Sequence, residues 1–305
     1  MAASEKNQSK DKLEGVAELE GEQDELLSDE GEHEEDELEF DLHAGTTQFY
    51  EDPHYYDYEF KSRREDVRYY TERYLEAGGW CVELGVGTGR IAAPAVRAGA
   101  QVIGVDLHEG MLKVAEERRQ KLAKAKRGSL RLVQGDMRDF DLGETFPLVS
   151  LPFNALQHMY TLEDARACLS CVHRHLKKGG LLIFDILMPD FEYLNRPSYA
   201  RFQGVDFKHP TWNATYNYSE QSAYDHLRQL NQVWFYYDRV DPPIGEPSEA
   251  PEHHSIQLSH RYYFPQEIML LLELSGFKIL HCGGDFEGGP VVEGNESLVY
   301  LCERI

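Results

Sequence analysis

Long apolar runs are absent from this chain of 305 residues. No stretch reaches the roughly 20 apolar residues that a membrane-spanning helix needs, and the first residues lack the charged and apolar regions of a signal peptide. Cysteine is scarce, and the five cysteines show no spacing typical of a disulfide framework. We therefore expect a cytoplasmic protein with free thiols and no membrane partner.

Basic residues are also few, since 31 Lys and Arg stand against 54 Asp and Glu, which gives a formal net charge of -23. Much of the excess lies in residues 1–42, where 17 acidic residues accompany 3 lysines. That stretch cannot bury enough apolar surface to offset the entropy of ordering, so we expect a disordered acidic tail. The rest of the chain is acidic too, which argues against a nucleic-acid partner.

Short apolar runs of β type alternate with helical patterns in the middle of the chain. Such alternation is typical of an α/β fold with a Rossmann-like, doubly wound and mostly parallel sheet, here of seven strands. We assign residues 79–189 and 265–305 to this domain and residues 43–78 to an N-terminal helical segment. Residues 190–264, rich in aromatic side chains, are predicted to form an antiparallel β insertion, a lid over the substrate. The KKGG motif at Lys177–Gly180 is predicted to close the helix before the fifth strand.

The sharpest motif is VELGVGTGR, where the first strand meets the first helix of the domain. Gly85, Gly87 and Gly89 allow a tight turn and a close approach of a ligand to the backbone. The third glycine comes one position too early for the dinucleotide pattern GxGxxG, and the acidic Glu83 precedes the turn. Both departures favour a nucleoside sulfonium ligand over NAD.

Two further acids follow the next two strands. Asp106 ends the second predicted strand, where a carboxylate can accept hydrogen bonds from both ribose hydroxyls. Asp136 follows the third strand, where it can accept a hydrogen bond from the adenine amine while Met137 packs on the ring. Each acid alone could be a helix cap or a turn residue, but that explanation accounts poorly for the ordered set together with the glycines.

Residues 80–188 resemble the S-adenosylmethionine-dependent methyltransferase family, whose first motif reads as an acid followed by GxGxG. The resemblance implies a class I fold and S-adenosylmethionine as the cofactor. More narrowly, PFNALQHMYTLED resembles the segment after the fourth strand of glycine and sugar N-methyltransferases, which often carries a histidine, here His158. The stretch YYDYEFKSRREDVRYY resembles the segment that closes over the methionine part of the cofactor, which implies that Tyr56 and Arg64 contact it.

Methyl transfer needs an acceptor lone pair in line with the methyl group, and an acceptor that arrives protonated must also lose a proton. We predict that His158 is the base, although it could instead cap the next helix or line the pocket. The sequence favours in-line transfer to a small-molecule amine and predicts no metal site, because the potential ligands of CLSCVHRH cannot all face one ion.

Other functions stay open on the sequence alone. An O-methyltransferase would share the cofactor residues, and so would a methyltransferase of protein or RNA. A non-catalytic scaffold acting through the acidic tail is a fourth possibility. The oligomeric state is also open, a homodimer included.

Overall fold

The computed structural model describes residues 40–240 and 250–305, so the predicted tail lies outside the described residues apart from its last three. The helices, in chain order, are α1 (Leu42–Thr47), α2 (Pro53–Glu59), α3 (Glu65–Ala77), α4 (Ala92–Ala98), α5 (Glu109–Gln120), α6 (Leu162–His175), α7 (Phe191–Leu194) and α8 (Pro265–Leu274). Asp41 and Asp52 begin α1 and α2 by accepting hydrogen bonds from free backbone N–H groups. Three of these helices, α1, α2 and α3, lie within residues 42–77.

The strands, in chain order, are β1 (Trp80–Leu84), β2 (Gln101–Asp106), β3 (Leu130–Gln134), β4 (Phe146–Leu151), β5 (Leu176–Leu187), β6 (Phe202–Lys208), β7 (Thr215–Asp225), β8 (Leu230–Arg239), β9 (His253–Arg261), β10 (Phe277–Gly283) and β11 (Ser297–Arg304). Seven of them form the main sheet in the order β10-β11-β5-β4-β1-β2-β3. β1 to β5 pair in parallel, and β11 runs antiparallel to both of its neighbours. The predicted mostly parallel, seven-stranded sheet is confirmed.

The insertion after β5 forms a separate antiparallel sheet in the order β6-β7-β8-β9. This sheet, called the lid below, confirms the antiparallel strands predicted from the aromatic-rich sequence. It packs on the N-terminal segment through an aromatic cluster that includes Phe49, Tyr55, Tyr216 and Tyr237. The cluster holds α2 and the short 3-10 turn Gln48–Tyr50 against the lid.

The prediction for Lys177–Gly180 is wrong in detail. α6 already ends at His175, and its last turn carries His173 and Arg174 as its cations. The KKGG motif belongs to β5, where the pairing with β4 shifts between Phe146 and Leu148. An irregular start of the strand takes up the residues that the pattern assigned to a helix end.

Each face of the main sheet is covered by apolar side chains. Val82, Leu84 and Val149 belong to the larger core cluster, while Cys81 and Leu148 belong to the cluster on the opposite face. Burial on both faces is what the continuous apolar runs of parallel strands provide. Residues at or just after the carboxyl ends of β1 to β4 form the floor of a cavity, where ligands of open α/β sheets bind.

Candidate functional site

A cavity of about 630 Å³ lies at the carboxyl ends of β1 to β4 and under α1. Its lining includes seven of the residues predicted from the sequence: Tyr56, Gly85, Gly87, Asp106, Asp136, Met137 and His158. Three predicted residues, Glu83, Gly89 and Arg64, are not part of its lining. The volume is in the range of small-molecule sites.

The glycine turn forms one wall of the cavity. Gly85 and Gly87 have φ angles of 68° and 54°, which favour glycine. A Cβ atom on Gly85 would lie 3.1 Å from the Cβ of Ala155, and one on Gly87 would lie 3.3 Å from the Cε of Met111. The missing side chains therefore leave a narrow cradle that a flat or extended ligand can enter.

Asp106 ends β2 at the floor of the cavity. Its carboxylate accepts hydrogen bonds from the backbone N–H of Gly87 at 2.7 Å and of His108 at 2.8 Å. Burial raises the pKa of Asp106, and the backbone donors oppose this shift. Since a carboxylate has about four acceptor sites, it can still receive two ribose hydroxyls.

Asp136 lies on the rim of the cavity after β3. Arg138 donates to it at 2.7 Å and also donates to Asp164 at 2.7 Å. The hydrogen bond from Arg138 is the main reason that the pKa of Asp136 is lowered. The neighbouring Met137 faces the cradle, with its Cε 4.0 Å from the position of a Cβ on Gly85.

Glu83 and Gly89 lie behind the glycine turn rather than in the cavity. Glu83 is buried and accepts a hydrogen bond from the Tyr74 hydroxyl at 2.8 Å, and burial raises the pKa of this carboxyl to about 8. A Cβ on Gly89 would lie 3.5 Å from the Cβ of Ala115 in α5. The structure gives both residues a place in the packing of the turn.

Arg64 lies on the surface, in a second groove of about 530 Å³. Two other arginines lie near the cavity, because the guanidinium carbons of Arg63 and Arg90 are 5.1 and 5.0 Å from the ring centre of Phe153. Arg90 is also paired with the buried Asp66 at 2.5 Å. Tyr56 is buried in the cavity wall, and burial raises its pKa to about 12.

His158 ends a 3-10 turn, Ala155–His158, that follows β4. Its Nε2 is 2.7 Å from the hydroxyl of Tyr50, and its Nδ1 is 3.3 Å from the hydroxyl of Tyr160. Tyr160 also contacts Thr46 Oγ1 at 2.7 Å and the carbonyl of Ser259 at 3.2 Å. Burial lowers the pKa of His158 to about 4. The imidazole is therefore neutral at pH 7.

The hydrogen-bond partners determine the tautomer of His158. Thr46 donates its hydroxyl proton to the carbonyl of Leu42 at 2.7 Å, so it accepts from Tyr160. The hydroxyl of Tyr160 has one proton, and its shorter contacts are to two acceptors, Thr46 Oγ1 and the carbonyl of Ser259. Nδ1 of His158 must therefore be the donor in the contact between His158 and Tyr160. Nε2 then carries a lone pair and accepts from Tyr50. This leaves the oxygen lone pairs of Tyr50 available to a ligand in the cavity.

Sequence reasoning missed Tyr50, Tyr160 and Thr46. All three line the cavity together with His158. Tyr50 comes just before the aromatic segment that was singled out, but one more tyrosine in a tyrosine-rich stretch carries no signal of its own. Only the packing of α1 on β9 brings these side chains together.

Two general properties of the described residues bear on function. Within residues 40–240 and 250–305, no group of three or more His, Cys, Asp or Glu side chains is placed to hold a metal ion. None of the helices in these ranges has the length and apolar character needed to cross a bilayer.

The arrangement fits the cofactor that the glycine motif implies. The cradle at Gly85 and Gly87 admits an extended ligand, Asp106 provides acceptors for ribose, and Asp136 and Met137 suit an adenine ring. The cavity is therefore compatible with S-adenosylmethionine, and the part of the cofactor that each residue contacts stays a prediction.

Known proteins with similar sequences and structures are methyltransferases. Residues 81–180 match the family described as "Methyltransferase domain". The cypemycin N-terminal methyltransferase of Streptomyces sp is 31% identical over 232 residues, which are 74% of this chain and 84% of that protein.

Two more relatives extend this picture. The dTDP-3-amino-3,4,6-trideoxy-alpha-D-glucopyranose N,N-dimethyltransferase of Streptomyces venezuelae is 31% identical over 104 residues, which are 34% of this chain and 40% of that enzyme. The solved structure of the CcbJ methyltransferase of Streptomyces caelestis aligns with a TM-score of 0.66 at 22% identity, covering 79% of this chain and 95% of that one.

Proposed function

The chain belongs to the class I S-adenosylmethionine-dependent methyltransferases, and from this premise we propose that it methylates the amine nitrogen of a small-molecule acceptor, held beside Tyr50 and His158. Its cofactor is S-adenosylmethionine, which when bound supplies an activated methyl group on a sulfonium. The protein's task is then to orient the acceptor and to exclude water.

The observation that carries the proposal is the hydrogen bond between Tyr50 and Nε2 of His158, at 2.7 Å in the cavity wall. With Nε2 as the acceptor, the Tyr50 oxygen can accept an N–H from the substrate. An amine held in this way keeps its lone pair free to point into the cavity. A histidine behind the hydroxyl fixes the direction of that hydroxyl, which we propose as the role of His158.

The lowered pKa favours positioning over proton transfer. An imidazole with a pKa of about 4 is too weak a base to take a proton from an alkylammonium group at neutral pH. We propose that the acceptor binds as the neutral amine and leaves as the methylated ammonium, which loses its proton to water. That His158 takes the proton itself stays an untested prediction.

The cavity wall near Tyr50 suits a neutral polar acceptor. Thr46, Thr47, Tyr56 and Tyr160 line it with hydroxyl groups and aromatic rings. The charged side chains of the lining, among them Asp106 and the Arg138 pairs, lie toward the ends of β2 and β3, where the cofactor is expected. The names of the two relatives above, an N-terminal methyltransferase and an amino-sugar N,N-dimethyltransferase, support an amine as the acceptor.

The test uses the full-length protein and S-adenosylmethionine with a methyl label. The acceptors are amino sugars and short peptides with a free N-terminus. Each is supplied in three forms: as the free amine, as its N-acetyl derivative and as the matching alcohol. Label transfer confined to free amines is the expected result. Transfer to the alcohols, or to basic proteins or tRNA instead of small amines, would contradict the proposal.

Two variants probe the residues. Tyr50→Phe removes the hydroxyl but keeps the ring, so we expect kcat/KM for the amine to fall about tenfold or more, the value of one hydrogen bond to the acceptor. Tyr199→Phe is the matched control, since Tyr199 is 86% exposed outside the cavity. Equal activity of the two variants would show that the Tyr50 hydroxyl does not bind the acceptor.

A further inference from the structure

The chain makes an unusual turn directly after β4. Phe153 and Asn154 have φ angles of 57° and 61°, in the left-handed region that residues with a side chain rarely adopt. Two such residues in succession persist only when the surrounding structure holds them, since each carries a conformational penalty.

A buried carboxylate holds this turn. Asp185 in β5 is fully buried, and it accepts hydrogen bonds from the backbone N–H of Phe153 at 2.8 Å and of Asn154 at 3.3 Å. The hydroxyl of Tyr70 in α3 donates to the same carboxylate at 2.6 Å. Consecutive N–H groups of a left-handed turn converge on one point and favour an anion there. In this protein the anion is a side chain of its own core.

The turn decides the shape of the cofactor cavity. The ring of Phe153 lines the cavity and packs on Phe60, with ring centres 4.6 Å apart. Ala155, two residues on, faces Gly85 across the cradle. The 3-10 turn that begins at Ala155 ends at His158. A change in the left-handed turn would therefore move both the cradle and the acceptor side of the site.

We propose that Asp185, assisted by Tyr70, is a positioning residue of the cofactor cavity, which binds the left-handed turn at Phe153 and Asn154 in the conformation that completes the cradle. The proposal concerns the cofactor and does not rest on the proposed acceptor, so either can fail without the other.

An ionised carboxylate is what this position requires. Phe153, Asn154 and Tyr70 all present donors, and an asparagine would offer them one oxygen and turn its own N–H₂ group toward one of them. Burial raises the pKa of Asp185 to about 6, with Asp66 adding to the rise, while the Tyr70 hydroxyl and Arg63 lower it. The group therefore remains mostly charged at pH 7.

The experiment measures the affinity for S-adenosylmethionine by titration calorimetry, together with thermal unfolding. Asp185→Asn should weaken binding about tenfold, because the turn loses an acceptor. Adding Asn154→Gly should restore affinity to within about threefold of wild type, since glycine adopts a positive φ without strain. The asparagine side chain is dispensable for this test, because its Oδ1 has no hydrogen-bond partner among the described residues.

The matched control is Asn213→Gly in the Asp185→Asn background. Asn213 is also left-handed, with φ of 52°, but it lies on the surface in the lid. Rescue by glycine at 154 and not at 213 supports the proposal. Equal rescue by both, rescue by neither, or wild-type affinity in Asp185→Asn would overturn it.

A second variant covers the case in which Asp185→Asn does not fold. Tyr70→Phe leaves the carboxylate and both backbone hydrogen bonds in place, and we expect affinity to fall about threefold with an intact fold. If Asp185→Asn cannot be purified, the double variant with Asn154→Gly decides the question. A folded, binding double variant supports the proposal, and failure of the double variant to fold contradicts it.

Discussion

Asp106 offers the most direct test of how the cofactor is held. Its carboxylate lies at the end of β2, fixed by the backbone N–H groups of Gly87 and His108 at 2.7 and 2.8 Å. If it also accepts both ribose hydroxyls, Asp106→Ala removes two hydrogen bonds to a charged acceptor, each with a typical contribution of about 1.5 kcal/mol. The sum of about 3 kcal/mol corresponds to a loss of about a hundredfold in affinity.

Asp106→Asn gives a graded result. The amide keeps the size of the side chain and one acceptor oxygen, so affinity should fall about tenfold rather than a hundredfold. Calorimetry with S-adenosylmethionine and S-adenosylhomocysteine measures all variants. Asp141→Asn is the control, since that side chain is 81% exposed and lies outside the cavity. Affinity within threefold of wild type in a folded Asp106→Ala protein would refute the assignment of the ribose to Asp106.

Three further predictions concern the glycine turn, the lid and α1. Gly85→Ala and Gly143→Ala both place alanine at a positive φ, 68° and 69°, so each should lower the free energy of unfolding by about 1–2 kcal/mol. Calorimetry should show a loss of cofactor affinity for Gly85→Ala alone, because a Cβ on Gly143 meets no atom within 4 Å. Burial lowers the pKa of His209 to about 4, so the contribution of the neutral imidazole to stability is complete above the unfolded pKa of about 6.5 and is lost as the pH falls from there toward 4. The melting temperatures at pH 7.5 and pH 5 should therefore differ less in His209→Phe than in wild type. An equal difference in the two proteins would be evidence against this role of His209. A Cβ on Gly45 would lie 1.9 Å from Oγ of Ser259, so Gly45→Ala should displace α1 and slow methyl transfer, and adding Ser259→Gly should restore the rate if the clash is the cause.

The meeting of Gly85, Gly87 and Asp106 in one cavity could be predicted because their signals are local in sequence. Gly85, Gly87 and Asp106 lie in or next to strands that the apolar pattern identifies, and parallel strands end at one edge of their sheet. The same short segments therefore indicate both the chemical role of these residues and their place in the fold. The fold was predictable for the same reason, since alternating strands and helices admit few topologies.

Side-chain direction at segment ends was harder to predict. Arg63 and Arg64 are neighbours, yet only Arg63 lies over the ring of Phe153. Near a helix start, one position changes the direction of a side chain by about 100°, since a turn takes 3.6 residues. Glu83 illustrates the same limit in β1, where the acid of the motif faces Tyr74 in the core and not the cavity.

The acceptor side depends on contacts between distant parts of the chain. Tyr50 and His158 are 108 positions apart, and Thr46 and Tyr160 are 114 apart. Such pairs form because α1 and the turn Gln48–Tyr50 pack on β9 beside the segment that follows β4, a tertiary arrangement that no local pattern encodes. The pKa of His158 is likewise a property of the folded cavity, since burial alone lowers it.

The two sides of the cavity differ in a way that explains how one site can serve two molecules. The cofactor side carries two acids: Asp106, where backbone donors oppose the rise in pKa that burial causes, and Asp136, whose pKa the Arg138 guanidinium lowers. On the other side, the hydrogen-bond partners of His158 are the hydroxyls of Tyr50 and Tyr160, and burial keeps its imidazole neutral. A charged acceptor would lose hydration on that side without gaining a counter-ion, whereas a neutral amine loses little and gains the Tyr50 oxygen. If the acceptor is the amine proposed above, selection of its reactive, unprotonated form then follows from burial, without a basic group to remove the proton.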